Sequence, residues 1–363
     1  MVQPLTDTFA LRGALDRDAA STAMQHILAA FVVLILFAAP ALARPFVDGA
    51  GRSVQVPEKV SRVLAAGPPA SVLLYTLAPA KMVGWVRAPH ADEKPYLARE
   101  TWDLPTTGRL TGRGNTANVE AVLATKPDLI VDVGSTGPTY ASLADRVQEQ
   151  TGIPYLLLDG RFTKIPETYR SFGAAIGAEA RGAELAAYAE RILAEVAEKI
   201  GSIPEEKRPR VYYGRGPKGL ETGLAGSINT EILELAGGRN VAEAVGRGGL
   251  TNVSPEQVLA WDPDVILTLD APFRASLATD PLWSGLRAVR AGRIYLAPRL
   301  PFGWFDAPPG VNRLIGLRWL AGVLHPDLFP QPIEAATRDF YRLFYHVDLT
   351  PDQAEALLKG AGP

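Results

Sequence analysis

The chain has 363 residues, 21% of them charged and 47% apolar, with a formal net charge of −2 and no cysteine. That balance can bury a large core but gives no basic field for nucleic acid. It also excludes disulfides, thiolate metal sites, iron–sulfur clusters and a cysteine nucleophile together. The length suggests two domains.

The first predicted element is not part of a fold. Residues 27–43, "ILAAFVVLILFAAPALA", form a continuous apolar run ending in an A-x-A-type cleavage site at Ala41-Leu42-Ala43. As a membrane anchor the run falls short of the ~20 residues that span a bilayer, contains Pro40, and lacks a basic stop-transfer cluster. Residues 1–43 are therefore expected to be a cleaved export signal, with the segment before Met24 an n-region extension or a misplaced start. No cysteine follows the cleavage site, so a lipid anchor is excluded, and a free soluble chain should begin near Arg44.

Further on, "DGAGRSVQVP" (48–57) reads as a hairpin with Gly at the turn, and "RVLAAGPP" (62–69) as a short strand stopped by Gly-Pro-Pro. A helix over 70–77 and a strand at "KMVGWV" (81–86) follow. Val119, Val122 and Leu123 have helical spacing, and Pro127-Asp128 closes that helix before the buried strand "LIVDVG". "IPYLLLDG" (153–160) is another strand. From Pro166 to Ile200 the chain is Ala- and Glu-rich with apolar residues at helical spacing, which predicts one long helix; Gly173, Gly177 and Gly182 are candidate interruptions. A continuous segment would run about 50 Å at 1.5 Å per residue. Beyond "GSIPEEKRPR" come a strand at "VYYGRG", helices at 230–236 and 255–261, strands at 265–269 and 293–296, and a helix at 309–324.

One string occurs twice. "NVEAVLATKPDLIV" (118–131) and "SPEQVLAWDPDVIL" (254–267) share Glu, Val-Leu-Ala, Pro-Asp and an aliphatic run, all at an offset of 136. A helix that delivers the chain through Pro-Asp into a central parallel strand, once per lobe, accounts for the repeat.

These pieces resemble the substrate-binding proteins of ABC importers for iron–siderophore complexes, cobalamin and related metal cargo, the helical-backbone group. The resemblance covers residues 46 to about 344. It lies in "DGAGRSVQVPEKVSRVL", both "E-x-VLA-x-x-PD" units, "GSINTEILELAGGRNVA", "LRAVRAGRIYLAP" and "LAGVLHPDLFP". It implies an α/β fold of two Rossmann-like lobes bridged by one long α-helix, with the ligand cleft between the lobes. The boundaries would be 44–165, the bridging helix 166–200, 201–345, and a tail over 346–363. A rigid helical bridge would permit only a modest hinge.

In open α/β sheets, ligands approach free backbone beyond the carboxyl ends of the strands. Those ends are Gly67-Pro68-Pro69, Trp85-Val86-Arg87, Gly134-Ser135-Thr136, Gly214-Arg215-Gly216, Asp270-Ala271 and 301–306. "GRGPKG" (214–219) matches the dinucleotide fingerprint G-x-G-x-x-G, but Pro217 and the glycines up to Gly226 postpone any helix. The alternative reading is Arg215 as a guanidinium fork for a carboxylate, a catecholate chelate or an oxyanion, at the cleft mouth, where its loss should cost affinity and little stability. A structural arginine bonding loop carbonyls is the competing reading. In "PFGWFD", Phe302, Trp304 and Phe305 either wall a ligand or cap the lobe's own core. Trp85 is a facing aromatic, with Arg87 and His90 just beyond it. Tyr212 and Tyr213 alternate, so only one, taken as Tyr213, can face the cleft.

Direct binding of zinc or manganese would need a cluster of His and carboxylates, and the mature chain keeps only His90, His325 and His346. No metal ligand beyond His90 is a candidate, and no cofactor is expected. The preferred cargo is a ferric siderophore-type chelate, with a small oxyanion such as molybdate as the alternative. The resemblance implies an inner-membrane ABC permease as partner, docked through an outward acid at Glu231, while Val72 stands where the matching first-lobe acid belongs. A periplasmic monomer is expected. An exported enzyme is the competing class, although no G-x-S-x-G motif is present.

Overall fold

The computed structural model describes residues 43–111 and 119–359; the expected export signal, apart from Ala43, lies outside them. Strands β1 (Ala43–Val47) and β2 (Ser53–Pro57) flank a turn in which Asp48 Oδ1 accepts from the Ala50 and Arg52 amides, both at 3.0 Å. The first sheet is parallel, in the order β3 (Val63–Ala65), β4 (Leu129–Gly134), β5 (Tyr155–Asp159). The second, also parallel, runs β11 (Ile294–Leu296), β10 (Val265–Thr268), β6 (Arg210–Gly214), β8 (Arg239–Asn240). The central strands β4 and β10 are near-continuous aliphatic runs, as parallel strands covered on both faces must be. "KMVGWV" forms no strand. It makes only isolated bridges, Val63 to Met82 and Trp85 to Thr106, and a side chain on Gly84 would stand 2.3 Å from the Pro105 carbonyl oxygen.

The repeated string is a strand-docking device built twice. Lys126 and Asp262, at the same point of the two copies, both have left-handed backbones, with φ of 47° and 40°. The turn re-aims the chain from the helix Val119–Ala124, or from the later helix Pro255–Trp261, into β4 or β10. The Asp of Pro-Asp then caps the neighbouring strand: Asp128 Oδ2 accepts from the Ser61 and Arg62 amides, and Asp264 Oδ2 from the Arg210 amide. The arginine that starts that neighbour reaches back over the turn. Arg62 donates to the Thr125 and Lys126 carbonyls, and Arg210 to those of Trp261 and Asp262. Capped carbonyls and a bound carboxylate satisfy backbone that a sharp turn would otherwise leave unpaired.

The predicted long helix is two helices, Ile165–Ile176 and Glu179–Gly201, so the continuous bridge over 166–200 is corrected. Gly177, with φ of 70°, ends the first in the left-handed conformation that suits glycine. The pair then folds back on itself. A Cβ on Gly182 would stand 2.6 Å from the Tyr169 carbonyl oxygen and 3.3 Å from the Gly173 Cα, so the two backbones touch at these glycines. At 1.5 Å per residue the second helix runs about 35 Å. It packs on the helices Pro68–Leu77 of the first half and Glu231–Leu235 and Arg313–Leu324 of the second.

The C-terminal helix Ile333–Tyr345 lies across the two halves, packing on Arg313–Leu324 of the second and on Pro68–Leu77 of the first. Its aromatics also reach the paired helices: Phe344 meets Tyr169 and Tyr188, and the Tyr345 carbonyl accepts from the Tyr75 hydroxyl. The expected tail contains a further helix, Pro351–Leu358, opened by a capping box at Thr350 and Gln353. Among the described residues no helix is long and apolar enough to cross a membrane.

Candidate functional site

The carboxyl ends of β6, β10 and β11 open on a cleft of about 430 Å³. The second half contributes Tyr213, Arg215, Gly216, Glu221, Asp270 and Arg299 to its lining, and the first half closes it with Arg87 and Glu93. A wider hollow of about 550 Å³ lies over the two paired helices, between Lys164, Arg170 and Glu190. It is far more open, and its charged side chains are paired to one another across the surface.

The glycine-rich loop after β6 does not lead into a helix. The chain turns at Gly216 and Gly219, both with positive φ, and returns as β7 (Glu221–Gly223), which pairs antiparallel with β9 (Leu250–Asn252). Arg215 and Glu221 bridge the hairpin: the Arg215 amide donates to the Glu221 carbonyl at 2.8 Å, and the Glu221 amide returns the bond at 3.3 Å. The glycines are needed because the Phe273 ring fills the space where side chains on Gly214 and Gly219 would stand. Without a helix N-terminus at this loop, the dinucleotide fingerprint is not met.

Arg215 sits between two carboxylates. Its Nη1 donates to Glu221 Oε2, and its Nε lies 3.1 Å from Asp306 Oδ2. Asp306 is almost completely buried, 1% exposed at its side chain, and takes three further donors: the Tyr213 hydroxyl at 3.2 Å, Asn229 Nδ2 at 2.9 Å and the Ala307 amide at 2.8 Å. Burial pulls the Arg215 pKa down, but the Asp306 and Glu221 carboxylates beside it hold it above the ordinary arginine value. Burial and the Asp306 charge hold the Tyr213 phenol far above its usual range, so it stays neutral. Arg215 is thus the partner of a buried acid, and the expectation that it supports no core is corrected.

From the first half, Arg87 Nη1 and Nη2 grip Glu93 at 2.9 and 2.8 Å, and Glu93 also accepts from the His90 amide at 2.8 Å. This brace fixes the loop that overhangs the cleft. Arg299 Nη2 reaches back to Asp92 in that loop at 2.8 Å, an ion pair joining the two halves.

Of the expected site residues, Arg87, Tyr213 and Arg215 line one cleft. Tyr212 points the other way, packing on Trp261 and donating to the Gly219 carbonyl. The aromatics are placed elsewhere. Trp304 is fully buried, its indole N–H on the Tyr341 hydroxyl and its backbone seated on Gly316. Phe302 and Trp85 do face each other, with ring centroids 6.2 Å apart, but they fill the space between them together with Tyr75 and Tyr345. They form a packed floor joining the halves, which corrects the reading of Trp304 and Phe302 as an open ligand wall. Gly67 is buried against Thr111 and Asp132, and Ser135 bonds the Gly137 amide; neither lines the cleft. His90 is an exposed loop residue, and among the described residues no group of three His, Asp or Glu could hold a metal.

Glu231 is not the outward acid expected. Its carboxylate, 20% exposed, accepts from the Phe162 amide at 3.1 Å and from the wholly buried Arg313 at 3.0 Å. Arg313 also lies over the Phe162 ring, 5.1 Å from its centroid. Burial raises the Glu231 pKa and lowers that of Arg313, against the attraction between them. Val72, in the first half, is buried.

Glu93, Glu221 and Asp306 were not singled out in the sequence. The signal was present for Glu221: glycines at 216 and 219 make a hairpin that sets residue 221 opposite 215.

Comparison with known proteins agrees with this architecture. The family model described as "Periplasmic binding protein" matches residues 74–300. The molybdate-binding protein MolA of Haemophilus influenzae is 27% identical, over 86% of this chain and 93% of its own. An ABC transporter solute binding protein from Sulfurospirillum deleyianum superposes with a TM-score of 0.79 at 32% identity, covering 87% of this chain and 99% of that one. The molybdate-bound structure of MolA shares the fold, with a TM-score of 0.69 at 24% identity, covering 85% of this chain and 100% of that one.

Proposed function

Because the chain belongs to the periplasmic binding protein family, whose members are substrate-binding proteins of ABC transporters and not enzymes, we propose that it captures a small tetrahedral oxyanion of the molybdate type. Release to an importer permease follows. One observation supports this reading above the rest: Arg87 from one half and Arg215 and Arg299 from the other converge on a cleft of about 430 Å³. Guanidinium forks match the oxygens of such an ion, and each charged hydrogen bond contributes roughly 1.5–3 kcal/mol.

A ferric siderophore complex, the expectation from the resemblance, is the weaker fit. Its bulk and flat catecholate or hydroxamate arms call for apolar walls, and Trp85, Phe302 and Trp304 are already packed against protein. The MolA relative, named for molybdate, points the same way. On this reading residues 1–43 serve as the export signal. The lobes are 44–165 and 201–345, and the paired helices between them form the bridge.

Native mass spectrometry of protein purified from its host tests the proposal. A bound mass of an oxyanion, released on denaturation, is the expected result. A bound mass of several hundred daltons with iron would replace the oxyanion by a chelate.

A further inference from the structure

The cleft carries no surplus of positive charge for an anion to meet. Its lining sets Arg87, Arg215 and Arg299 against Glu93, Glu221 and Asp270. Asp306 behind Arg215 and Asp92 beyond Arg299 add two further acids. Tyr213, also in the lining, is a neutral phenol bonded to Asp306. Every acid but one is engaged by an arginine: Glu93 by Arg87, Glu221 and Asp306 by Arg215, and Asp92 by Arg299. Asp270 is the exception. It follows β10 and opens the helix Ala271–Thr279, yet its carboxylate does not cap that helix. Its Oδ2 accepts instead from the amide of Gly216, another cleft residue, at 2.7 Å. Among the described residues no cation pairs with it, since Arg215 and Arg299 are turned to other acids and Arg274, one turn on in the same helix, makes no ion pair. The Asp270 amide donates to the Thr268 hydroxyl at 3.0 Å and its carbonyl accepts from the Arg274 amide at 3.0 Å, so the residue is held at the cleft wall.

An ionised carboxylate only accepts hydrogen bonds. Beside a fully ionised oxygen it repels, whereas one proton between the two makes a charged hydrogen bond. We infer that Asp270 is the specificity residue of the cleft, accepting a hydrogen bond from a protonated oxygen of the bound oxyanion. This rests on the oxyanion reading above and narrows it to oxyanions bound together with one proton. Hydrogen phosphate brings that proton at neutral pH. Molybdate, fully ionised there, must take one from solvent as it binds, and sulfate, the weakest base of the three, is rejected by the unpaired carboxylate. Glu93, Glu221, Asp306 and Asp92 keep the partners they have, so no acid has to give way.

The test is calorimetric titration of the whole protein with molybdate, hydrogen phosphate and sulfate, beside Asp270→Asn, between about pH 6.5 and 8.5 and in two buffers of different ionisation heat. About one proton should be taken up per molybdate bound, with affinity falling roughly tenfold for each unit rise in pH, and about none per hydrogen phosphate at the upper end. Asparagine keeps an acceptor for the Gly216 amide and suits the start of a helix, so the variant should fold, which circular dichroism checks. It should abolish the uptake, bind molybdate and sulfate roughly tenfold more tightly at the upper pH, and bind hydrogen phosphate roughly tenfold more weakly. The wild-type proton count stands whether or not the variant folds. Hydrogen phosphate alone binding the wild type, with molybdate and sulfate admitted only by the variant, would equally establish the inference. Molybdate bound with no proton taken up, uptake unchanged in Asp270→Asn, or hydrogen phosphate held equally well by the variant would sink it and leave the oxyanion reading standing. If the wild type binds none of the three ions, both fall together.

Discussion

Replacing Arg215 with alanine separates a cleft-mouth ligand contact from what the structure shows. A side chain that only touched ligand could be removed without changing the melting temperature. Here its loss leaves Asp306, 1% exposed, without the cation that neutralises it. Breaking a buried pair outright costs about 3–5 kcal/mol. Asp306 keeps the Tyr213 hydroxyl, Asn229 Nδ2 and the Ala307 amide, so the penalty should fall nearer that of one unsatisfied charged contact, about 2 kcal/mol. In a chain of this size that lowers the melting temperature by roughly 3 °C. Asp306→Asn combined with Arg215→Ala should recover about 1 kcal/mol relative to the sum of the single changes, because neither variant group then leaves a lone buried charge. Anion affinity should fall by about 2–4 kcal/mol, or roughly 30- to 1000-fold, in the Arg215→Ala protein. Thermal melts and a double-mutant cycle measure the first part. An unchanged melting temperature with strictly additive single changes would show that Asp306 does not depend on Arg215, and the reasoning about the cleft floor would be wrong.

Gly182→Val should lose roughly 1–3 kcal/mol in urea, since its Cβ would stand 2.6 Å from the Tyr169 carbonyl and push the paired helices apart; a wild-type midpoint would mean that the crossing is loose. Lys126→Gly should gain about 0.5 kcal/mol, the relief of a left-handed residue at φ 47° exceeding the added chain entropy, and a clear fall in the midpoint would contradict this. His325 and His346 are held below their ordinary pKa of 6.5, chiefly by burial, so the unfolded chain binds more protons than the folded one below that value. Their stabilisation is complete above pH 6.5 and is lost as pH falls from there toward the folded values. The melting temperature should therefore drop between pH 7.5 and 5.5, and His325→Gln should drop less; an equal drop would place the titration elsewhere.

The two sheets were legible chiefly through their central strands, β4 and β10, which are near-continuous aliphatic runs entered through Pro-Asp; β8, only Arg239–Asn240, carried no such signal. The repeat even marked the matched left-handed turns at Lys126 and Asp262, although no sequence rule gives a lysine that conformation. The break in the long helix was carried by Gly177 alone. Strong helix formers on both sides outweigh one glycine in a local reading, and only the contact of Gly173 with Gly182 makes folding back worthwhile. The C-terminal helix shows its apolar stripe in Phe340, Tyr341, Phe344 and Tyr345, but a stripe does not say that it will pack on helices of both halves. The aromatic loop failed for the same reason. Trp304 faces the core because Gly316, twelve residues on, lets its backbone settle against the helix, and Phe302 is claimed by Tyr75 and Tyr345 from distant segments. Glu231 sat in the expected local string; its burial was decided by Arg313, eighty-two residues away.

Calorimetric titration with molybdate of the wild-type protein beside Arg215→Ala addresses most directly whether the cleft holds one small ion on its arginines. One saturable site per chain is expected, weakened by roughly 30-fold or more when Arg215 is removed. Molybdate that gives no heat, with a ferric catecholate complex binding the same protein at one site, would contradict the oxyanion assignment.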